Sequence, residues 1–354
     1  MIMQRGHILI LKIITSISLI VLSHVCLSIR PPERISSIAP DTLKRISQDL
    51  RDGNYGKISG IVILSKSRVI FEQYYGFNNA NTLHPISSVT KSITSLIAGI
   101  CLDKGYIKSI DEPVWKYFPE YRNIFDKDSV KKRITIRNLL NQTTGIKWDE
   151  WTTHYSYAGN ELIEMSHANL NWVEATLKIE LDSNPGSKFC YNSCNSQIID
   201  EILCKSTHKD FESLVSQYLF SPLGIKQYHW DTYPVNGVPA WGGLSLTTRD
   251  MARFGTLICN YGCWNDTQVV SNDWIEKSIQ KESGNGKVDY GLHWWITTQP
   301  DGNPLVYAAG YGDQYIYVAP DKKIVIAING QNFTDYKWPK DIDSLVKSIL
   351  SSLE

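Results

Sequence analysis

The chain has 354 residues, 42% of them hydrophobic and 20% charged, an ordinary globular composition with length enough for a sizeable core. Its 36 basic and 36 acidic side chains cancel, so no polyanion-binding surface is implied and nucleic acid is not an expected partner. No histidine pair has HxH or HExxH spacing and no CxxC pair occurs, which argues against a metal site.

At the N-terminus, Arg5, His7 and Lys12 precede an apolar stretch from Ile13 to Leu22. A charged start and a short hydrophobic run are the pattern of a secretory signal peptide, and the run is short for a membrane span. Residues 1–28 therefore read as a signal peptide or a membrane anchor, with Arg30-Pro31-Pro32-Glu33 as a linker after it. The chain is expected to be exported, periplasmic or secreted, and to meet a membrane only if that segment is retained. An oxidising compartment permits disulfides. Cys259 and Cys263, separated by Asn260-Tyr261-Gly262, are the pair expected to bridge, and Cys101 reads as a buried thiol on an apolar helix face.

Residues 29–354 read as one domain. Asp41 to Leu50 has the helical period, with Leu43, Ile46 and Leu50 on one face. Ser59 to Leu64 and Arg68 to Tyr75 predict a hairpin joined at Ser65-Lys66-Ser67. A long helix is predicted from Ser88 to about Lys104, ended by Gly105. From Asp111 to about Trp241 the pattern is mostly helical with long polar loops. Thr247 is placed to cap a helix whose third residue is Asp250. Strand-like runs follow at Tyr290 to Thr297, Gln314 to Ala319 and Lys323 to Asn329, and a last helix carries Ile342, Leu345, Val346, Ile349, Leu350 and Leu353. Strands at both ends and helices between them predict an α+β fold: an antiparallel sheet from residues 55–76 and 290–330, flanked by terminal helices, with a mostly helical region inserted at about 105–245.

Ser-x-x-Lys occurs five times, beginning at Ser88, Ser129, Ser206, Ser278 and Ser344. Four of these lie in polar or terminal surroundings and read as solvated surface. Ser88 instead opens a helix whose next turns hold Val89, Ile93, Leu96, Ile97 and Ile100, a pattern that demands burial. Lys91, one turn on and on the same face, is carried inward. Burial at the positive end of a helix favours its neutral amine, which can accept a proton, and the first backbone N–H groups of the helix can hold an oxyanion. The plainer alternative is that Ser88 merely caps the helix and Lys91 reaches solvent.

Two further segments bear on that choice: Tyr191-Asn192-Ser193, after Pro185-Gly186-Ser187-Lys188-Phe189-Cys190, and Ala308-Ala309-Gly310-Tyr311-Gly312-Asp313, read as the small-residue start of a strand running to Pro320. With Ile134 to Gly145 and Trp241 to Ala252, these resemble the serine β-lactamase and penicillin-binding superfamily. More narrowly, they resemble class C β-lactamase-related esterases and 6-aminohexanoate-dimer hydrolases, over roughly residues 35–350. The resemblance implies a β-lactamase/transpeptidase-like fold and a cofactor-free serine hydrolase. Ser88 would be the nucleophile, Lys91 its partner and Tyr191 the proton carrier, with Ser193 and Trp151 at the substrate. Gly310 and the Tyr311 N–H would lie at the oxyanion if the third motif is Ala308-Ala309-Gly310; Gly310-Tyr311-Gly312 is the other register.

At the third motif the family carries Lys, His or Trp, and here Ala308 stands. The departure points to a neutral ester, amide or short oligomer as substrate and away from β-lactams, unless Arg137 or Arg249 supplies the cation. A β-lactamase or D-alanyl peptidase is the competing reading within the fold, and a silent ligand-binding relative is the competing reading of another class. Trp148, Trp151 and Tyr155 are placed either to line a cleft or to fill core.

Overall fold

The computed structural model describes residues 37–334 and 340–353; the N-terminal segment read as a signal peptide or anchor lies outside them. Among the described residues five longer helices frame the fold: α1 (Pro40–Arg51), α2 (Val89–Asp103), α3 (Cys194–Thr207), α4 (Thr248–Cys259) and α5 (Ile342–Ser351). The main sheet takes its strands from both ends: β1 (Ile58–Ser65), β2 (Arg68–Tyr74), β3 (Ser283–Gly284), β4 (Asp289–Tyr290), β5 (Trp295–Thr298), β6 (Pro304–Gly310), β7 (Gln314–Ala319) and β8 (Ile324–Gly330). Their order is β2-β1-β8-β7-β6-β5-β4-β3, antiparallel throughout. The β1–β8 pairing joins the two distant segments, from Ile61↔Ile328 to Ser65↔Ile324.

Both faces of the sheet centre are covered, which is why its strands read as continuous apolar runs. Ile61 and Ile63 of β1, with Ile326 and Ile328 of β8, point to the terminal helices, meeting Ile46 and Leu50 of α1 and Leu345, Val346 and Ile349 of α5. The alternate residues Val62, Val325, Ala327, Val306 and Ala308 point to α2, α4 and the helical region. Residues 105–245 hold α3 among shorter helices and loops, with short strands at His229–Trp230 and Leu244–Leu246, the mostly helical region that their pattern predicts. This is the α+β arrangement expected from the sequence.

The hairpin closes at Lys66 and Ser67, both at positive φ (49° and 65°), the turn whose twist suits antiparallel strands. Thr247 caps α4, its side chain accepting from the Asp250 N–H. The strand predicted over Tyr290 to Thr297 is broken in two. His293 adopts φ +62°, its N–H donates to Leu140 O in the helical region, and its carbonyl accepts from Ser92 of α2. The small residues Ala308-Ala309-Gly310 end one strand rather than begin the next. Gly312 (φ 87°) and Asp313 (φ 65°) turn the chain, and Gly310 pairs back onto Gln314. The predicted Cys259–Cys263 bridge is absent and both thiols are free. Helix α4 turns Cys259 into the core, 3.6 Å from Ile324 O, while Cys263 lies beyond the turn in a small hairpin.

Helix α2 runs through the core with nearly every residue buried. Gly99 is what lets the ring of buried Trp274 lie against it: a Cβ at that position would sit 2.3 Å from Trp274 Cδ1. With the tryptophan unable to withdraw, Gly99→Ala should cost about 1–3 kcal/mol of stability, read as a lower urea midpoint with an unchanged slope.

Candidate active site

Ser88 is the N-cap residue of α2, but its side chain makes no capping hydrogen bond. Its hydroxyl instead accepts from Lys91 Nζ at 2.8 Å. The plain alternative, a capping serine with a lysine reaching solvent, is therefore not what the fold builds: Lys91 is buried, 2% exposed. Its other contacts are Trp241 O at 3.4 Å and the ring of Tyr191, whose centroid lies 4.9 Å from Nζ. Burial pushes the Lys91 amine down from 10.5 to about 8, against the pull of the nearby Glu150 carboxylate. At pH 7 about one molecule in ten then carries the neutral amine, against fewer than one in a thousand for an exposed lysine. Burial also raises the Tyr191 phenol, Glu150 adds to that rise, and hydrogen bonding toward Ser88 opposes it. Tyr191 is consequently a neutral hydroxyl that donates and accepts, not a phenolate.

The backbone around Ser88 is held from two sides. Ser87 sits at φ +48°, a left-handed conformation that costs a non-glycine residue on the order of 1 kcal/mol. Its hydroxyl donates to Tyr311 O at 3.0 Å, tying the end of β6 to the start of α2. Ile86 is anchored through its N–H to Leu244 O at 2.9 Å. Among the described residues the Ser88 N–H has no backbone acceptor. Gly310 is the residue of β6 that packs on the segment leading into α2: a Cβ there would lie 2.3 Å from Ile86 O. Of the two registers left open by the sequence, this contact favours Ala308-Ala309-Gly310, because Gly312 already lies in the turn. Strand β5 pairs with β6 only as far as Tyr307, so residues 308–310 keep that edge unpaired beside Ser88.

A cavity of about 370 Å³ opens on Ser88, bounded by Tyr191, Trp151 and Tyr155 on the helical side and by Tyr307, Ala309 and Tyr311 on the sheet side. The structure thus brings Ser88, Lys91, Tyr191, Gly310, Tyr311 and Trp151 together. Trp151 stacks on Tyr191 at 5.2 Å between centroids. Ser193 is not at the cavity. It is the buried N-cap of α3, and its N–H and hydroxyl both donate to Glu150, at 2.8 and 2.6 Å. Trp148 also sits behind the wall, its indole N–H on the same carboxylate at 3.0 Å. Ala308 faces the core under the sheet. Arg137 is engaged by Asp111 and Glu282 and Arg249 by Glu72, and neither lines the cavity.

Glu150 escaped the sequence reading. It lies in the polar-looking run Asp149-Glu150-Trp151-Thr152 but is 2% exposed. It accepts four hydrogen bonds, from Trp148, Tyr155 and twice from Ser193. Four donors match a carboxylate's capacity, which is what allows a charged group to be buried there. It fastens the loop carrying Trp151 and Tyr155 to the start of α3, and so fixes the wall in which Tyr191 stands. The only local signal was two large aromatic residues flanking a short acidic pair.

A model of the beta-lactamase family matches residues 51–340. The 6-aminohexanoate-dimer hydrolase of Paenarthrobacter ureafaciens is 26% identical over 314 residues, covering 84% of this chain and 77% of its own. Among solved structures, a Bacillus anthracis protein described as a candidate 6-aminohexanoate-dimer hydrolase superposes with a TM-score of 0.73 at 22% identity, over 87% of this chain and 80% of that one. A family VIII carboxylesterase gives a TM-score of 0.68 at 16% identity, over 89% and 98%.

The Gly310 contact supplies a direct test of the site's architecture. Gly310→Ala forces the strand away from Ile86 O and Ser88, so turnover of an aryl ester should fall at least about tenfold while the melting temperature drops by only a few degrees. Wild-type turnover in that variant would show that the approach of β6 to α2 is not needed.

Proposed function

This chain belongs to the beta-lactamase family and is a serine hydrolase of that family, and from this premise we propose that it acts through an acyl-enzyme on a small ester or amide without a recognised carboxylate, as a carboxylesterase or an oligomer amidase. The observation that carries the reading is the 2.8 Å contact between Ser88 Oγ and a fully desolvated Lys91 amine. In its neutral form Lys91 takes the Ser88 proton as Oγ attacks the substrate carbonyl. The oxyanion that forms is met by the Ser88 N–H and, across the unpaired edge of β6, by the Tyr311 N–H. Tyr191, held neutral, gives its proton to the departing alkoxide or amine and is resupplied from the Lys91 ammonium. Water then repeats the sequence on the acyl-enzyme, with the proton returned to Ser88.

The choice of a substrate without a carboxylate over a β-lactam rests on the cavity lining. Among the described residues that lining holds no arginine, histidine or lysine. A substrate carboxylate would forgo a charge-assisted hydrogen bond of roughly 1.5–3 kcal/mol, about ten- to a hundredfold in rate. A β-lactamase or D-alanyl carboxypeptidase is disfavoured by the same lining.

A fluorophosphonate should add covalently to Ser88, and Ser88→Ala should lower aryl ester turnover by at least about 10³-fold without loss of fold. Peptide mass spectrometry locates the adduct; its appearance on another serine overturns the assignment. Tyr191→Phe keeps the ring that stacks on Trp151 and removes only the hydroxyl. Its loss should combine with that of Lys91→Ala less than additively, because the two act as one relay. On one preparation, kcat/KM for a neutral aryl ester should exceed that for a penicillin and a cephalosporin, and the reverse order would show that a cation reaches the site from elsewhere.

A further inference from the structure

Of the fourteen described residues lining the Ser88 cavity, eight are aromatic and one carries a formal charge, Asp343. The aromatic lining is continuous from the nucleophile to that charge. Tyr191 stacks on Trp295 at 5.7 Å, Trp295 on Tyr307 at 6.2 Å and Tyr307 on Tyr317 at 5.1 Å. Tyr317 then donates its hydroxyl to Asp343 Oδ1 at 2.5 Å. Among the described residues this is the one hydrogen bond made by the Asp343 side chain, and no ion pair neutralises it. The second carboxylate oxygen remains available at the rim of the cavity. Asp343 stands in the first turn of α5, a place where a helix by itself favours an anion. That preference is already met within the chain, since Asp341 caps the helix by accepting from the Ser344 N–H and Asp343 adds a second negative charge.

Resting on the acyl-transfer reading above, we propose that the substrate carries a cationic, ammonium-type group, which the tyrosine-rich floor and Asp343 receive while its ester or amide lies at Ser88. Three kinds of group there attract a cation: ring quadrupoles, phenolic oxygens and a carboxylate. The same set repels a carboxylate, which makes the missing cation at the third motif one half of a single specificity. Asp343 is exposed, so solvent screens its part and the discrimination it adds is moderate, about tenfold.

Two isosteric pairs test this, one with the charge on the alcohol side and one with it on the acyl side: acetylcholine against 3,3-dimethylbutyl acetate, and p-nitrophenyl 4-(trimethylammonio)butanoate against p-nitrophenyl 5,5-dimethylhexanoate. In at least one pair the cationic member should have the higher kcat/KM by about tenfold, and Asp343→Asn should reduce that ratio to within about twofold of one. Equal or reversed ratios in both pairs, or a preference that survives Asp343→Asn, overturn the proposal. Calorimetry on Ser88→Ala protein separates this from the hydrolase reading. Binding of acetylcholine that weakens in the Ser88→Ala/Asp343→Asn double variant supports the cation site even if no ester is turned over. No binding of either cationic ester rejects the site even if Ser88 proves to be the nucleophile.

Discussion

The desolvation of one ammonium group governs this structure. Moving the Lys91 pKa from 10.5 to about 8 corresponds to about 3 kcal/mol against its charged form. The folded amine is less basic than the unfolded one, so that cost is present in full below pH 8 and is relieved as pH rises from about 8 toward 10.5. The fold tolerates it because α2 is buried along nearly its whole length and cannot rotate Lys91 out without exposing Val89, Ile93 and Leu96. A group that would be a solvated surface charge on any of the other four Ser-x-x-Lys segments becomes, on this helix, a buried amine held against a serine.

Strand β6 is the counterpart of α2. Val306 and Tyr307 in its middle are paired on both sides and complete the sheet, while its last three residues leave one edge unpaired beside Ser88. Gly310 permits the close approach and the Ser87 hydroxyl fastens it. Glu150 does for the opposite wall what Gly310 does for this one. By gathering Ser193, Trp148 and Tyr155 it locks the loop and the start of α3 that together place Tyr191. Position and protonation are thus set by groups that need not touch a substrate.

The elements legible in the sequence were those with a strong period or a definite cap. The alternation and turn at Lys66-Ser67, the Thr247 cap, the apolar stripe of α5 and the burial of α2 all carry local signals, and the fold follows from them. Ser88, Lys91 and Tyr191 were legible through motif spacing and the resemblance it supports. What was not legible depended on tertiary partners. The break at His293 needs Leu140 and Ser92, far away in sequence. The ending of β6 at Gly310 was hidden because small residues open and close strands equally well. Glu150 looks like a surface acid until four donors from three residues converge on it. Ser193 was misplaced because the position two residues after Tyr191 becomes the first residue of a helix entry, which turns its hydroxyl away from the cavity.

In the proposed reading the family's chemistry is retained while the electrostatics of the cavity differ. A cavity of tyrosines and tryptophans with one carboxylate at its rim presents the opposite sign to a carboxylate-binding site, built on the same sheet edge and the same helix. All of this presumes that Lys91 can lose its proton near neutrality. The direct measurement is an NMR titration of the lysine Nζ resonances in ¹⁵N-labelled protein, with the Lys91 signal assigned by its loss in Lys91→Arg. The account requires a titration midpoint near 8 for that one amine. A midpoint near the ordinary 10.5 would show that Lys91 stays an ammonium throughout, and would contradict its role as the base.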